Sequence, residues 1–290
     1  MTEESATTGV VTSAGDFGPP SMIASDVDGT LIDDRNQITA RTSEVLQQAR
    51  LQGVELVLAT GRPPRWIPEI TDQLADTRAA IRYAVCANGA IVYDVQADRV
   101  LHVSALAPES LSRIVEICAE ALPGCGLAAE RAGATAHDAA TEPFVATPGY
   151  QHAWLNPDHV YVGLDEVAAV PAVKLLARMP GMSSRAMAEA VTPLVGDLAE
   201  VTFSIDTGLV EFSLPGTHKA AGLSWLVDNT DVDGLAPVAF GDMPNDAQML
   251  RWAARGVAMG HGDPVAIEAA DEVTASNVDD GVAKVLERWF

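Results

Sequence analysis

The sequence predicts an α/β protein: a doubly wound parallel sheet core with an α+β cap domain inserted into it. Three observations predict this. Between Met22 and Asn88 short apolar runs alternate with helical stretches, strand, helix, strand, helix, strand, as in a parallel sheet with crossover helices. From about Ile91 that rhythm gives way to hairpins and a loop-rich block. At Lys219 it resumes and continues to Phe290. The expected division is a disordered tail over 1–20, a core made of 21–90 and 215–290, and an inserted cap over 91–214.

The stretch Met22-Ile-Ala-Ser-Asp-Val-Asp-Gly-Thr-Leu31 reads as a buried strand that delivers Asp26 and Asp28 to a turn at its C-terminal edge. Side chains two apart on a strand share a face, so extended geometry as far as Asp28 would bring both carboxylates to one small volume. Residues 39–52 carry Val45, Leu46 and Ala49 at helical spacing and stop at Gly53. Val54-Glu-Leu-Val-Leu-Ala59 is a second buried strand running into Thr60-Gly61-Arg62-Pro63, and 64–75 is expected to be helix. Tyr83-Ala-Val-Cys-Ala87 is the third strand and ends at Asn88. Asp26, Thr60 and Asn88 therefore all fall at strand C-termini, where doubly wound sheets bind ligands.

In the inserted block, Ile91-Val-Tyr-Asp94 and Arg99-Val-Leu-His-Val103 read as a hairpin and 108–121 as a helix with Ile114, Val115 and Ile117 inward. A loop-rich, Ala- and Gly-rich region follows, then strands at 159–163 and 173–177, a helix at 183–195, and a hairpin of 201–205 with 208–214. The α/β rhythm returns with a helix at 219–227 and the strand Pro237-Val-Ala-Phe-Gly241 ending at Asp242. Helix at 245–254, a short strand at 256–259, helix at 264–270 and a final amphipathic helix at 281–290, capped at Asp279-Asp280, complete the chain.

Composition bounds the function. The chain has 40 Asp and Glu against 18 Lys and Arg, a formal charge of −22, which argues against nucleic acid or an anionic membrane as partner. A few local cations and a metal can still invert the field inside a pocket, so an anionic substrate stays open. Cys86, Cys118 and Cys125 match no metal-ligand spacing and suit a reducing cytoplasm. Residues 1–20 lack the basic and apolar regions of a signal peptide, and no window is long and apolar enough to span a membrane, so a cytoplasmic location is expected.

Two acids forced together repel unless a cation or a shared proton compensates, so Asp26 and Asp28 ask for a metal, a proton-transfer role, or both. Four separated pieces now come together: Ser25-Asp-Val-Asp-Gly-Thr-Leu31, Ala59-Thr-Gly-Arg-Pro63, Pro215-Gly-Thr-His-Lys219 and Gly241-Asp-Met-Pro-Asn-Asp246. As an ordered set they resemble the four motifs of the haloacid dehalogenase superfamily, in the branch with a large cap between the second and third motifs. The tail Gly256-Val-Ala-Met-Gly260, with Ala270-Asp-Glu-Val-Thr274 and 277–281, is similar to the Cof-type branch, subfamily IIB with a C2 cap. The resemblance covers nearly all of 21–290 and implies a Rossmann-like core.

The residues fit phosphoryl transfer, which needs a nucleophile, charge neutralisation and proton handling. Asp26 would attack phosphorus and form an aspartyl phosphate that water then cleaves. Asp28 would protonate the departing alkoxide and later take a proton from that water. Magnesium suits an oxygen-only site. The resemblance implies ligands from the Asp26 carboxylate, the Asp28 main-chain carbonyl and Asp242, with Asp246 direct or through water. Thr60, with backbone N–H groups around Val27 and Gly61, would hold phosphate oxygens, and Lys219 would offset the charge of Asp26 and the phosphoryl group. Arg62 and Asn88 are placed to touch the leaving group, and Asn245 to hold Lys219 or the phosphate. In the cap, Arg131, His137, Trp154, Lys174 and Arg178 are candidates to face substrate, each with surface or packing roles as the simpler explanation.

Two alternatives to this reading of the opening acids fail. An EF-hand loop would need an acid or Asn and then Gly where Thr30 and Leu31 stand, and its twelfth position is Gln37. The tetrapeptide recurs as Asp231-Val-Asp-Gly234, but between a helix and a strand, so its acids fall at the opposite edge of the sheet and read as a polar turn. His261 stands where Cof-type proteins more often carry Asn. The expected function is a magnesium-dependent phosphatase of a small phosphorylated metabolite, such as a sugar phosphate or a phosphorylated cofactor or precursor. A phosphotransferase or phosphosugar mutase on the same core, or a non-catalytic phospho-ligand sensor, are the rivals.

Overall fold

A computed structural model describes residues 18–75, 77, 79–153 and 158–290. Residues 1–17 of the expected tail over 1–20, and Trp154, lie outside the described residues. In chain order the elements are β1 (Met22–Ser25), α1 (Ala40–Leu51), β2 (Glu55–Ala59), α2 (Pro68–Thr71), β3 (Tyr83–Cys86), β4 (Ile91–Asp94), β5 (Arg99–Val103), α3 (Pro108–Ala121), β6 (Gly126–Glu130) and β7 (Phe144–Ala146). They continue with β8 (His159–Tyr161), α4 (Leu164–Val167), β9 (Lys174–Arg178), α5 (Ser184–Val195), β10 (Glu200–Thr202), β11 (Leu209–Ser213) and α6 (Lys219–Asn229). The last are β12 (Pro237–Gly241), α7 (Ala247–Trp252), β13 (Arg255–Ala258), α8 (Pro264–Ala269), β14 (Glu272–Val273) and α9 (Gly281–Leu286).

The core is an eight-stranded sheet in the order β14-β13-β12-β1-β2-β3-β4-β5. Strands β14 to β3 in that order run parallel, β4 pairs antiparallel with β3, and β5 antiparallel with β4. Alternation along β1 serves both faces. Ile23 packs with Leu46, Ile67 and Val285 on one side, and Met22 and Ala24 pack with Leu223, Leu226 and Met249 on the other. Burial on both faces accounts for the near-continuous apolar runs. From β1 the chain proceeds in one direction to β2 and β3, and the returning β12, β13 and β14 lie on the other side. The order thus reverses between β1 and β12, the switch point where such sheets form their crevice.

The inserted segment builds a second sheet, β10-β11-β9-β6-β7-β8, with α3 and α5 packed on one face. Two differences from expectation stand out. The hairpin β4–β5, expected in the cap that begins at 91, instead extends the core sheet through antiparallel pairing of β4 with β3. The short turn 87–89 lets the chain double back there, so the edge of the parallel sheet is covered by its own continuation. The cap sheet begins only at Gly126. Its strands β6 and β7 fall in the region expected to be loop-rich: β6, Gly126-Leu-Ala-Ala-Glu130, has no β-branched residue, and β7 is only three residues long. Pairing with β9 and β7 on its two sides makes β6 a strand all the same.

Smaller departures are local. The helix expected over 64–75 is broken into short turns around α2. At the last helix Asp280 sits at φ +57 and its side chain makes no cap bond. It accepts the Thr39 hydroxyl at 2.7 Å, tying the start of α1 to α9. Among the described residues no helix is long and apolar enough to cross a membrane.

Candidate active site at the switch point

Asp26 follows β1 directly, and its N–H donates to Phe240 O at 3.0 Å, which keeps it in register with β12. Asp242 directly follows β12. Two carboxylates are thereby fixed side by side at the switch point. Asp246 joins them from the first turn after β12, where its Oδ2 accepts the N–H groups of Asp242 at 3.0 Å and Met243 at 2.9 Å. Carboxylate oxygens of Asp26, Asp242 and Asp246 all lie within 4.8 Å of one another. Gly29, at φ +79, lets the turn pass this cluster, since a Cβ there would stand 2.5 Å from Asp242 Oδ2.

The counter-charge is Lys219, the first residue of α6 and fully buried. Its Nζ donates to Asp26 Oδ1 at 2.5 Å and Asp246 Oδ1 at 2.6 Å. Gly89 and Gly222 permit the close approach of α6 to the end of β3 that puts it there, and a Cβ on Gly89 would stand 2.1 Å from His218 O. Burial alone draws the Lys219 ammonium down, but Asp246 and Asp26 outweigh it and hold its proton above the ordinary lysine range. One cation does not balance three acids. Burial, opposed by Lys219 and reinforced by Asp246 and Asp242, holds Asp26 well above the carboxylate range. Burial and Asp246 push Asp242 up to about 7, against the bond it accepts from Thr30 Oγ1 at 3.0 Å. This all-oxygen donor set, deficient in positive charge, suits a hard divalent cation.

Asp28 is not in that cluster. The chain turns at Val27, so extended geometry does not reach Asp28, and its carboxylate pairs with Arg62 through Nε at 2.9 Å and Nη2 at 2.6 Å. The expectation of two acids in one small volume is corrected: it is Asp26 with Asp242 and Asp246 that share it, while Asp28 lies at the rim. Arg62 also bonds Glu69 at 3.0 Å. The Val27 side chain is in the core, which leaves only its backbone available to the site. Thr60 is fully buried at the end of β2, with its hydroxyl accepting Arg62 N–H at 3.1 Å.

Asn88 adopts φ +57 and links three elements. Its Oδ1 accepts from Asn245 Nδ2 at 3.0 Å, and its Nδ2 donates to Glu211 Oε2, on the cap, at 2.9 Å. Asn245 thus ties the first turn after β12 to Asn88. His261 Nε2 lies 3.8 Å from Asp242 Oδ2.

Among the cap candidates Lys174 reaches this region, with Nζ donating to Gly61 O at 3.1 Å and Glu211 Oε1 at 2.9 Å. Arg131 donates to Glu166 O and Arg178 to backbone carbonyls at 151 and 208, which are structural bonds, and His137 borders a separate cavity of about 320 Å³. Sequence reasoning missed Arg65, Glu130 and Glu211. Arg65, from the core, forks onto Glu130 of the cap at 2.5 and 3.2 Å and reaches Asp158 at 3.0 Å. A cavity of about 570 Å³ opens between core and cap, from Asp28, Gly61 and Arg62 at one end to these residues at the other.

Comparison with known proteins matches this architecture. The haloacid dehalogenase-like hydrolase family covers residues 23–286. The chain is similar to 5-amino-6-(5-phospho-D-ribitylamino)uracil phosphatase YitU of Bacillus subtilis, 28% identical over 275 residues, covering 93% of this chain and 98% of that protein. It is also similar to the phosphatase YbjI of Escherichia coli, named for the same ester, 27% identical over 277 residues, with 92% and 95% covered. Among solved structures, a haloacid dehalogenase-like hydrolase from Bacteroides thetaiotaomicron superposes with a TM-score of 0.71 at 24% identity, covering 93% of this chain and 100% of that one. A sugar phosphatase of subclass IIB superposes at 0.72 with 23% identity over 92% of this chain and 98% of that one, and at these identities the likeness is one of fold. With the motif residues gathered at one switch point and the match running through both sheets, the chain belongs to the haloacid dehalogenase-like hydrolases, as a phosphatase of their Cof-type branch.

Proposed function

We propose that this enzyme is a magnesium-dependent phosphatase that hydrolyses a small phosphorylated metabolite through an aspartyl phosphate on Asp26. The observation that carries the reading is the buried carboxylate of Asp26 held between Lys219, at 2.5 Å, and the acids Asp242 and Asp246. The esters named for the curated relatives, small phosphomonoesters, support it. The surplus of acids over bases suits a small substrate reached through one cavity better than nucleic acid. We assign it to the cytoplasm.

In the first step an Asp26 oxygen bonds to phosphorus while the bond from phosphorus to the leaving oxygen breaks, and Asp28 gives that oxygen a proton. In the second step water attacks the phosphoryl group, Asp28 takes its proton, and Asp26 is released. Thr60 Oγ1 and the backbone N–H groups around Val27 and Gly61 hold the phosphoryl oxygens, and Lys219 balances their charge. Arg62 exchanges Asp28 for the incoming ester, which frees Asp28 to face the leaving group. Asn88 borders the leaving group and Asn245 orients Asn88. Asp26, Asp242, Asp246 and the Asp28 main-chain carbonyl would hold Mg²⁺, which when bound neutralises the phosphate and lets the acids stay ionised.

The test is release of inorganic phosphate from a panel of phosphorylated sugars, polyols and cofactor precursors, with magnesium and with chelator. Asp26→Asn should fold normally and release nothing above background, and wild-type turnover by that variant would sink the mechanism.

A further inference from the structure

The two faces of the cap sheet differ in kind. Alternate residues such as Leu127, Leu175, Val210 and Phe212 pack on α3 and α5, as a one-sided sheet requires. The intervening residues face the core and include Glu130, Lys174 and Glu211 beside Phe144 and Leu176. Glu130 and Lys174 are cross-strand partners, and Glu211 lies opposite Leu176. All three are nearly as buried as the apolar core, at 6%, 3% and 3% exposure. Buried charge is expensive where apolar side chains would do, so its retention on a cavity wall points to a ligand.

The charges on that wall do not cancel. Of the titratable groups around the 570 Å³ cavity, five are carboxylates and three are Lys or Arg. Arg65 serves both Glu130 and Asp158, and Lys174 is left to Glu211. The cations on this wall are thus already committed to carboxylates, whereas Glu130 and Glu211 each have acceptor capacity beyond the bonds they accept from Arg65, Lys174 and Asn88. Burial drives Glu130 upward, opposed by Arg65 and Lys174, as expected for a carboxylate withdrawn from water. A hydroxyl can donate into such a wall, but a second anion meets repulsion in a partly desolvated space.

Resting on the phosphatase reading above, we propose that Glu130 and Glu211 determine specificity: they accept hydroxyls of a neutral polyol leaving group and reject esters bearing a second anionic group. The cavity falls within the roughly 300–1,000 Å³ of small-molecule sites, so it accommodates such a chain. The same surplus disfavours a mutase, which must hold the second phosphate of a bisphosphorylated sugar in this space.

The test compares glucitol 6-phosphate with 6-phosphogluconate, which differ chiefly by one terminal carboxylate, as substrates and as competitors of p-nitrophenyl phosphate hydrolysis. The neutral ester should be favoured about thirtyfold or more, roughly 2 kcal/mol. Glu130→Gln and Glu211→Gln, each scored by its own ratio of the two esters, should narrow that preference. Equal kcat/KM, equal or absent competition, or a ratio unchanged in both variants overturns the assignment while p-nitrophenyl phosphate hydrolysis leaves the phosphatase reading standing. If no ester is hydrolysed, p-nitrophenyl phosphate included, both fall together.

Discussion

Replacing Lys219 with Met isolates the charge at the centre of the site, because Met keeps most of the side-chain length and discards the ammonium. Asp26 Oδ1 and Asp246 Oδ1 then lose their partner at 2.5 and 2.6 Å in a fully buried position. Breaking a buried pair from one side costs about 3–5 kcal/mol. The cluster has one escape, which is to bind one more proton than it does in the wild type. Protonating a carboxyl of ordinary pKa about 3.9 at pH 7 costs about 4 kcal/mol, and at pH 5 about 1.5 kcal/mol. Both routes therefore give about 4 kcal/mol at pH 7, a fall in Tm of roughly 8–16 °C at about 2–4 °C per kcal/mol. The extra proton also fixes the sign. The folded variant holds a proton that its unfolded chain has released, so its penalty grows with pH by up to about 1.4 kcal/mol per unit above about pH 4. Urea denaturation of both proteins in metal-free buffer at pH 5 and pH 7 measures it. A penalty that stays constant between the two would show that Lys219 does not compensate these carboxylates.

Metal binding and pH should be linked through Asp242, which burial pushes up to about 7. The unfolded chain loses this proton near pH 4, so metal-free stability should fall as pH rises from about 4 to 7. Magnesium, which needs the ionised form, should raise Tm more at pH 8 than at pH 5.5 in a thermal shift assay, and a larger effect at the lower pH would contradict the assigned ligands. Gly89→Ala, at φ +101 and 2.1 Å from His218 O, should destabilise by about 2–5 kcal/mol through strain and overpacking together and should lower kcat by moving Lys219. Gly53→Ala, at φ +86 with open space around it, should cost only about 1–2 kcal/mol and leave kcat unchanged.

Asp26, Thr60, Asn88 and Asp242 were legible because each follows a strand fixed by local pattern, and a parallel sheet carries its strand ends to one edge; Lys219, at the start of a helix, was marked only by its place in the ordered set of motifs. The same logic separated the two Asp-Val-Asp-Gly stretches. Asp231 pairs with Arg82 at 2.9 Å beside the start of β3, the opposite edge from Asp26. By itself, then, the sequence determined which strand ends share the switch-point edge, since short-range periodicity and chain order decide that.

What only the tertiary structure decided depends on contacts between segments far apart in the chain. The turn at Val27 sends Asp28 to Arg62 instead of to Asp26, which no spacing rule reveals. Strand β6 exists because β9 and β7 pair with it, although its Leu, Ala and Glu residues favour helix. Arg65, Glu130 and Glu211 look like ordinary surface charges one at a time. They become a buried wall only when core and cap close on each other, because the free energy of a buried charge is set by partners that sequence proximity does not supply.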